Sequence, residues 1–208
     1  MTESGLFITL EGGDGSGKST QMGALTEWLQ QKGRTVVQSR EPGGTDLGLE
    51  LREIVLHRRG DIAPRSEALL YAADRAHHVA TVVRPALDRG EVVIQDRYLD
   101  SSVAYQGAGR VLDPDEVRDL SLWATEGLLP HLTVLLDLDP AVGRERLEAS
   151  RTRYDRLESA PDDFHERVRR AYLALAAAEP TRFLVLDATR PVDELQASIR
   201  DRVSHLLG

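Results

Sequence analysis

Residues 12–19 read Gly-Gly-Asp-Gly-Ser-Gly-Lys-Ser, an unbroken G-x-x-x-x-G-K-[ST] that directly follows the apolar run 6–10. Such a loop restricts the fold because its glycines turn backbone N–H groups inward around phosphate oxygens. It does so where a buried strand ends and a helix begins, with the helix dipole facing the same charge. The pattern predicts a P-loop that binds ATP through Gly12, Gly13, Asp14, Gly15, Ser16 and Gly17. Lys18 is expected between the β- and γ-phosphates, Ser19 on Mg2+, and Thr20 on a phosphate oxygen.

Apolar runs at 35–38, 92–95, 132–138 and 183–186 continue the series begun at 6–10. Helical patterns separate them at 18–31, 47–56, 66–89, 114–126, 141–149, 162–178 and 192–207. Five strands alternating with helices predict an α/β chain of the P-loop NTPase fold, a five-stranded parallel sheet flanked by helices. Pro114 and Pro140 stand where a first helical turn accepts proline, and Gly33, Gly90 and Gly127 stand where helices should stop. The run 92–95 ends in Asp96, the form of a carboxylate that holds Mg2+ through water. Ligands of such sheets gather at the carboxyl ends of the strands, which places Asp96 beside the first loop.

The 208 residues are read as a single domain, 1–208, without repeats or linkers. The charged, weakly apolar stretch 148–163 reads as a short arginine-containing lid at about 149–160. Hydrophobic residues at 41% and charged residues at 29% are ordinary for a chain with a packed core. A formal charge of -8 argues against general binding to nucleic acid or a membrane surface. No apolar run nears the roughly 20 residues of a membrane span, the N-terminus lacks signal-peptide character, and cysteine is absent. A cytoplasmic protein without disulfides is the expectation.

A regulatory GTPase would carry an Asn-Lys-x-Asp strand end, whereas the candidate strand closes as Leu135-Leu-Asp-Leu-Asp139 with no lysine nearby. Motor and transport ATPases need further domains that this length cannot hold. A small-molecule kinase fits best.

The chain resembles the bacterial thymidylate kinase family over nearly its whole length. The stretches that carry the resemblance are 11–20 (EGGDGSGKST), 40–45 (REPGGT), 69–75 (LLYAADR), 96–98 (DRY), 101–106 (SSVAYQ) and 154–158 (YDRLE), in that order. The resemblance implies transfer of the γ-phosphoryl group of Mg-ATP to thymidine monophosphate (dTMP), giving dTDP for dTTP synthesis, by a homodimer. It implies that Asp14 accepts the 3'-hydroxyl of the deoxyribose and that Glu41 lies near the sugar and phosphates. Arg52 and Arg97 match arginines around the acceptor phosphate and base, where a planar guanidinium can form two parallel bonds. Tyr71 and Arg75, four residues apart and so on one helical face, match the pair that stacks on thymine and bonds its carbonyl. The family more often has phenylalanine at the first of these positions. Ser102, Tyr105 and Gln106 match residues that read the base edge and crowd the sugar.

Eukaryotic relatives place an arginine in the phosphate loop where this sequence has Gly15, and the bacterial pattern supplies one from the lid. The lid here is a residue longer than the commoner form and carries Arg151, Arg153 and Arg156, of which Arg153 and Arg156 are the expected catalytic residues together with Lys18 and Arg97. Arg146 is expected to pack on adenine. An acceptor phosphate is largely dianionic at neutral pH, so no general base is needed. Discrimination of thymine from uracil would rest on one methyl group, worth about 1–3 kcal/mol. Another nucleoside monophosphate kinase of the same fold, or a non-catalytic nucleotide-binding switch, are the competing expectations.

Overall fold

The computed structural model describes residues 5–58, 60–150 and 155–207. Strands β1 (Leu6–Glu11), β2 (Val36–Arg40), β3 (Val92–Asp96), β4 (Leu132–Asp137) and β5 (Phe183–Asp187) form a parallel sheet in the order β2-β3-β1-β4-β5. Every residue of β1 is buried, as expected of a central parallel strand covered on both faces. Between and after the strands lie α1 (Lys18–Gln31), α2 (Asp46–Arg52), α3 (Pro64–His78), α4 (Arg84–Asp88), α5 (Leu99–Ser102), α6 (Pro114–Ala124), α7 (Pro140–Ser150), α8 (Asp162–Ala178) and α9 (Val192–Leu207).

Side chains alternate across a strand, and the core divides accordingly. Leu6, Ile8 and Leu10 of β1 pack with Leu25 and Leu29 of α1 and with Leu195, Ile199 and Val203 of α9. Phe7, from the other face, packs with Val79, Val83, Ala86 and Tyr98. A third cluster joins Tyr71, Tyr105, Leu157 and α8 residues Phe164, Val168 and Tyr172. Polar groups also enter the packed interior, as where Arg182 donates to both carboxylate oxygens of Asp100 (2.6 and 2.9 Å) and to the Thr133 hydroxyl (2.8 Å). Asp100 is fully buried, so it is tolerable there only because it is paired.

The expected strands and most helices are present, with three differences. The helix expected over 66–89 runs as α3, a π-helical turn Val79–Val83, and α4. Pro85 accounts for the break: it has no N–H, and in regular α geometry its ring would crowd the carbonyl one turn back. Helix α2 likewise passes into a π turn, Glu53–His57. No helix was expected between 96 and 113, yet α5 and a π-helical segment, Val103–Gly109, fill it. Two glycines make that segment a poor helix former, and its packing against α6 and α8 supplies what propensity does not. Gly33, Gly90 and Gly127 all have positive φ, as helix stops should. Among the described residues no helix is long and apolar enough to cross a membrane.

Candidate active site

The loop after β1 is shaped by close backbone approach. A Cβ on Gly12 would stand 2.4 Å from the Leu136 carbonyl oxygen of β4, and one on Gly15 would stand 2.4 Å from the carbonyl oxygen of Gly143 in α7. Gly143 is equally constrained, since its own Cβ would meet the Asp14 carbonyl oxygen at 2.6 Å. The phosphate loop and α7 therefore touch main chain to main chain through two glycines. Position 15 thus has no room for a side chain here.

Gly17, with φ 91, caps α1 and turns the chain into it. Lys18 Nζ donates to the carbonyl oxygens of Gly12 (3.2 Å) and Gly13 (3.0 Å), so the ammonium group lies across the loop. Burial, and then the nearby Arg97 guanidinium, lower the Lys18 pKa against the opposing pull of Asp96, Asp14 and Glu11.

Arg97 follows β3 with a left-handed backbone, φ 67. Its guanidinium donates to Asp14 Oδ1 (2.6 Å), the Gly12 carbonyl (3.1 Å) and the Tyr172 hydroxyl (3.3 Å), and lies 4.9 Å from the centre of the Tyr105 ring. Burial alone would depress the Arg97 pKa, but the surrounding Tyr105, Asp14, Tyr172 and Asp96 outweigh it and hold the pKa well above its ordinary value. Asp14 moves the other way: burial raises its carboxyl, and Arg97 and Lys18 more than reverse this.

Asp96 lies opposite Leu10 in the β1–β3 register and opposite Arg40 in the β2–β3 register, at the carboxyl end of the sheet. Among the described residues its Oδ1 is buried without a hydrogen-bond partner, and Ser16 Oγ is in the same condition. Asp96 and Ser19 line one cavity. Among the described residues there is no cluster of three or more His, Cys, Asp or Glu able to hold a metal by itself. One orphaned carboxylate oxygen and one hydroxyl beside a phosphate loop suit Mg2+, which keeps waters and takes phosphate oxygens in place of an all-protein cage.

That cavity, of about 450 Å³, also contains Glu41, Arg52, Tyr71, Arg75, Arg97, Ser102, Tyr105 and Gln106, which are the residues expected on the acceptor side. Two of them, Arg75 and Glu41, are also bonded to each other. Arg75, 1% exposed, donates to Glu41 Oε2 (2.7 Å), Ser121 Oγ (3.1 Å), the Tyr98 carbonyl (3.2 Å) and Ser102 Oγ (3.0 Å), which uses four of its five N–H groups. One N–H of Nη1 has no partner among the described residues. Glu41 uses both oxygens on protein, with His78 Nδ1 at 2.9 Å from Oε1, and His78 Nε2 in turn is 2.6 Å from Ser39 Oγ. The Glu41 carboxylate thus ties Arg75 to His78 across the floor of the site. Arg52 donates to the Pro42 carbonyl (2.9 Å), beyond a cis Glu41–Pro42 peptide, and burial followed by Arg40 lowers its pKa. Tyr71 is 8% exposed and makes no hydrogen bond through its hydroxyl among the described residues. Burial and then Glu67 raise its pKa.

Of the lid arginines, Arg151 and Arg153 lie outside the described residues. Arg156 does not line the cavity. It donates to the Val55 carbonyl (3.0 and 2.8 Å) and pairs with Glu67, a fully buried carboxylate that needs cationic partners more than the open cavity does. Arg146 lies across the phosphate loop, with Nη1 3.4 Å from the Gly15 carbonyl and Nη2 3.1 Å from the Ala188 carbonyl.

Several participants were not singled out from the sequence. Glu11 is buried beneath the loop and accepts from the Tyr98 amide (2.7 Å), Ser101 Oγ (2.6 Å) and the Tyr172 hydroxyl (2.8 Å). Burial, and then Asp100, push its carboxyl up to about 7. Tyr172 and Ser101 also contact Arg97, so Glu11 steadies the arginine through them. A glutamate ending a buried strand just before the glycines was the available signal. A second cavity, of about 540 Å³, lies across the loop between β4, α7 and α8 and shares Asp14 and Tyr105 with the first.

A thymidylate kinase family model matches residues 10–199. A thymidylate kinase of Leifsonia xyli is 76% identical over 199 residues, covering 96% of this chain and 94% of the relative. One from Bifidobacterium longum is 56% identical over 206 residues, covering 97% and 98%. The crystal structure of thymidylate kinase from Ehrlichia chaffeensis superposes with a TM-score of 0.78 at 29% identity, covering 96% of this chain and 99% of that one. Sequence relatives and solved structure agree with a cavity that joins a phosphate loop to a ring of arginines: the chain belongs to the thymidylate kinase family.

Proposed function

We propose that this chain phosphorylates dTMP to dTDP with ATP as donor, using the residues gathered around the 450 Å³ cavity. One observation carries the residue assignment: Lys18, Ser19 and Thr20 line the same cavity as Arg52, Tyr71, Arg75 and Gln106, so two anions can meet in it.

The ATP phosphates lie in the loop 12–17, bonded by main-chain amides, by Lys18 and by Thr20, and Arg146 packs beside the adenine. Lys18 leaves the carbonyls of Gly12 and Gly13 for the β- and γ-phosphates. Ser19 directly and Asp96 through water would hold Mg2+, which would withdraw charge from the phosphate oxygens. On the acceptor side, Tyr71 stacks on the base, the free Nη1 donor of Arg75 reaches its carbonyl, and Arg52 and Arg97 take the phosphate. Arg97 is the link between the halves, since it touches Gly12 and Asp14 of the loop. Asp14 accepts the 3'-hydroxyl, with Tyr105 3.5 Å away. Glu41 acts by holding Arg75.

Transfer then consists of alignment and relief of repulsion between anions, with no proton to remove from a dianionic acceptor. The lid at about 149–160 supplies a further guanidinium, from Arg153 or from Arg156 once it leaves Glu67. We further propose a single domain over 1–208, a cytoplasmic location and a homodimer. Leu69 (57% exposed) and Trp123 (79%), on the mutually packed α3 and α6, offer apolar surface for a second copy.

Steady-state ADP release with dTMP, dUMP, dCMP, AMP and GMP tests the activity. The expected order puts dTMP first with dUMP weaker, and absence of dTMP-dependent ADP release refutes the reading. Light scattering on the purified protein tests the dimer.

A further inference from the structure

Glu67 is fully buried in α3, one helical turn before Tyr71 and on the same face. Its Oε1 accepts from Gln106 Nε2 (2.9 Å) and Arg110 Nε (3.3 Å), and its Oε2 pairs with Arg156. None of the mechanism above uses this carboxylate. Gln106 is itself 2% exposed and lines the acceptor cavity, and its Oε1 accepts no hydrogen bond among the described residues.

A carboxylate between guanidinium groups only accepts, so only the NH2 end of an amide can face it. We propose that Glu67 is a specificity-determining positioning residue: by taking the Gln106 amide nitrogen, it turns the Gln106 carbonyl oxygen toward the base. The inference rests on the acceptor reading above.

The cavity, which both residues line, would then offer an acceptor in Gln106 Oε1 and a donor in the remaining N–H of Arg75. A pyrimidine with a ring N3–H and a 4-carbonyl matches both. One with an unprotonated N3 and a 4-amino group opposes both, facing acceptor with acceptor and donor with donor. Polar groups buried without a match discriminate far more strongly than a methyl niche does. Thymine and uracil are therefore admitted together against cytosine by the amide's orientation. The methyl preference is a separate and weaker matter.

The test is Glu67→Gln, whose neutral amide can bond either end of Gln106 and so releases its orientation. For the wild type and the variant, kcat/KM is measured with dTMP, dUMP and dCMP, and folding is checked by thermal unfolding. The dTMP-to-dCMP and dUMP-to-dCMP ratios are expected to fall at least about tenfold, while the dTMP-to-dUMP ratio stays within about twofold. A role confined to docking Arg156 would lower all three acceptors together and leave the ratios unmoved, which would overturn the proposal. If Glu67→Gln does not fold, Glu67→Asp is read by the same ratios. It keeps a negative charge toward Arg156 and Arg110 but withdraws it from Gln106. A wild type that ignores dTMP would refute the activity, whereas a wild type that prefers dTMP with unchanged ratios in the variant refutes only the role of Glu67.

Discussion

Replacing Gly15 with alanine is expected to destabilise the chain and to raise the KM for ATP, by an amount that follows from two terms. Gly15 has φ +77, a left-handed conformation that costs an ordinary residue roughly 1–2 kcal/mol. The new methyl would also stand 2.4 Å from the Gly143 carbonyl oxygen, a main-chain atom that cannot rotate away, so α7 must move. Overpacking of this kind costs about 1–3 kcal/mol. The sum, about 2–5 kcal/mol, corresponds to a fall in Tm of about 4–20 °C for a chain of this size. Because α7 carries Arg146, bonded to the Gly15 carbonyl, its displacement also disturbs the donor side. Calorimetry and ADP release at varied ATP read both effects. Gly143→Ala gives the sharper control. In a free helix that change stabilises by up to about 1 kcal/mol, whereas contact with the Asp14 carbonyl at 2.6 Å should make it destabilising. A stabilised Gly143→Ala, or a Gly15→Ala within about 2 °C of the parent, would refute the main-chain contact.

Lys18→Ala and Arg97→Ala should each lose most turnover, on the order of a hundredfold or more, while their circular dichroism stays native. Near-normal rates would contradict the roles given to them. Glu11→Gln should flatten the dependence of stability on pH. The folded chain raises this carboxyl from 4.5 to about 7, so proton binding favours the fold below about pH 4.5, and that contribution is lost as pH rises through 7. It amounts to on the order of 3 kcal/mol. Urea melts at about pH 5 and pH 8 should show the wild type losing more stability between them than the variant, and equal losses would count against it. Arg182→Leu leaves Asp100 buried and without its cation, and should cost about 3–5 kcal/mol in the same melts.

The P-loop, the succession of strands along the chain and the residues that meet around the 450 Å³ cavity were legible because each has a local pattern: a glycine spacing, an apolar run, a motif. What escaped depended on contacts between distant segments. Glu67 looks like one more acidic residue in the first turn of a helix, and only the approach of Gln106, Arg110 and Arg156 gives it meaning. Glu41 was expected near the substrate by motif, but no local pattern showed that its oxygens also bind Arg75 and His78, 34 and 37 residues away. Arg156 was expected over the phosphates, and the pull of a buried carboxylate holds it elsewhere. The π turns escaped because a hydrophobic period cannot distinguish them from α-helix over so few residues.

Arg97 joins two demands that pull apart. Its backbone occupies a region where glycine or asparagine would be at ease, so the most comfortable residue for the chain's path is one with no positive charge to offer. The Arg97 guanidinium offsets part of that strain, because it pairs with Asp14 and donates to the Gly12 carbonyl and the Tyr172 hydroxyl. The side chain that two phosphates would need is thus also the one that anchors a backbone turn more natural to glycine.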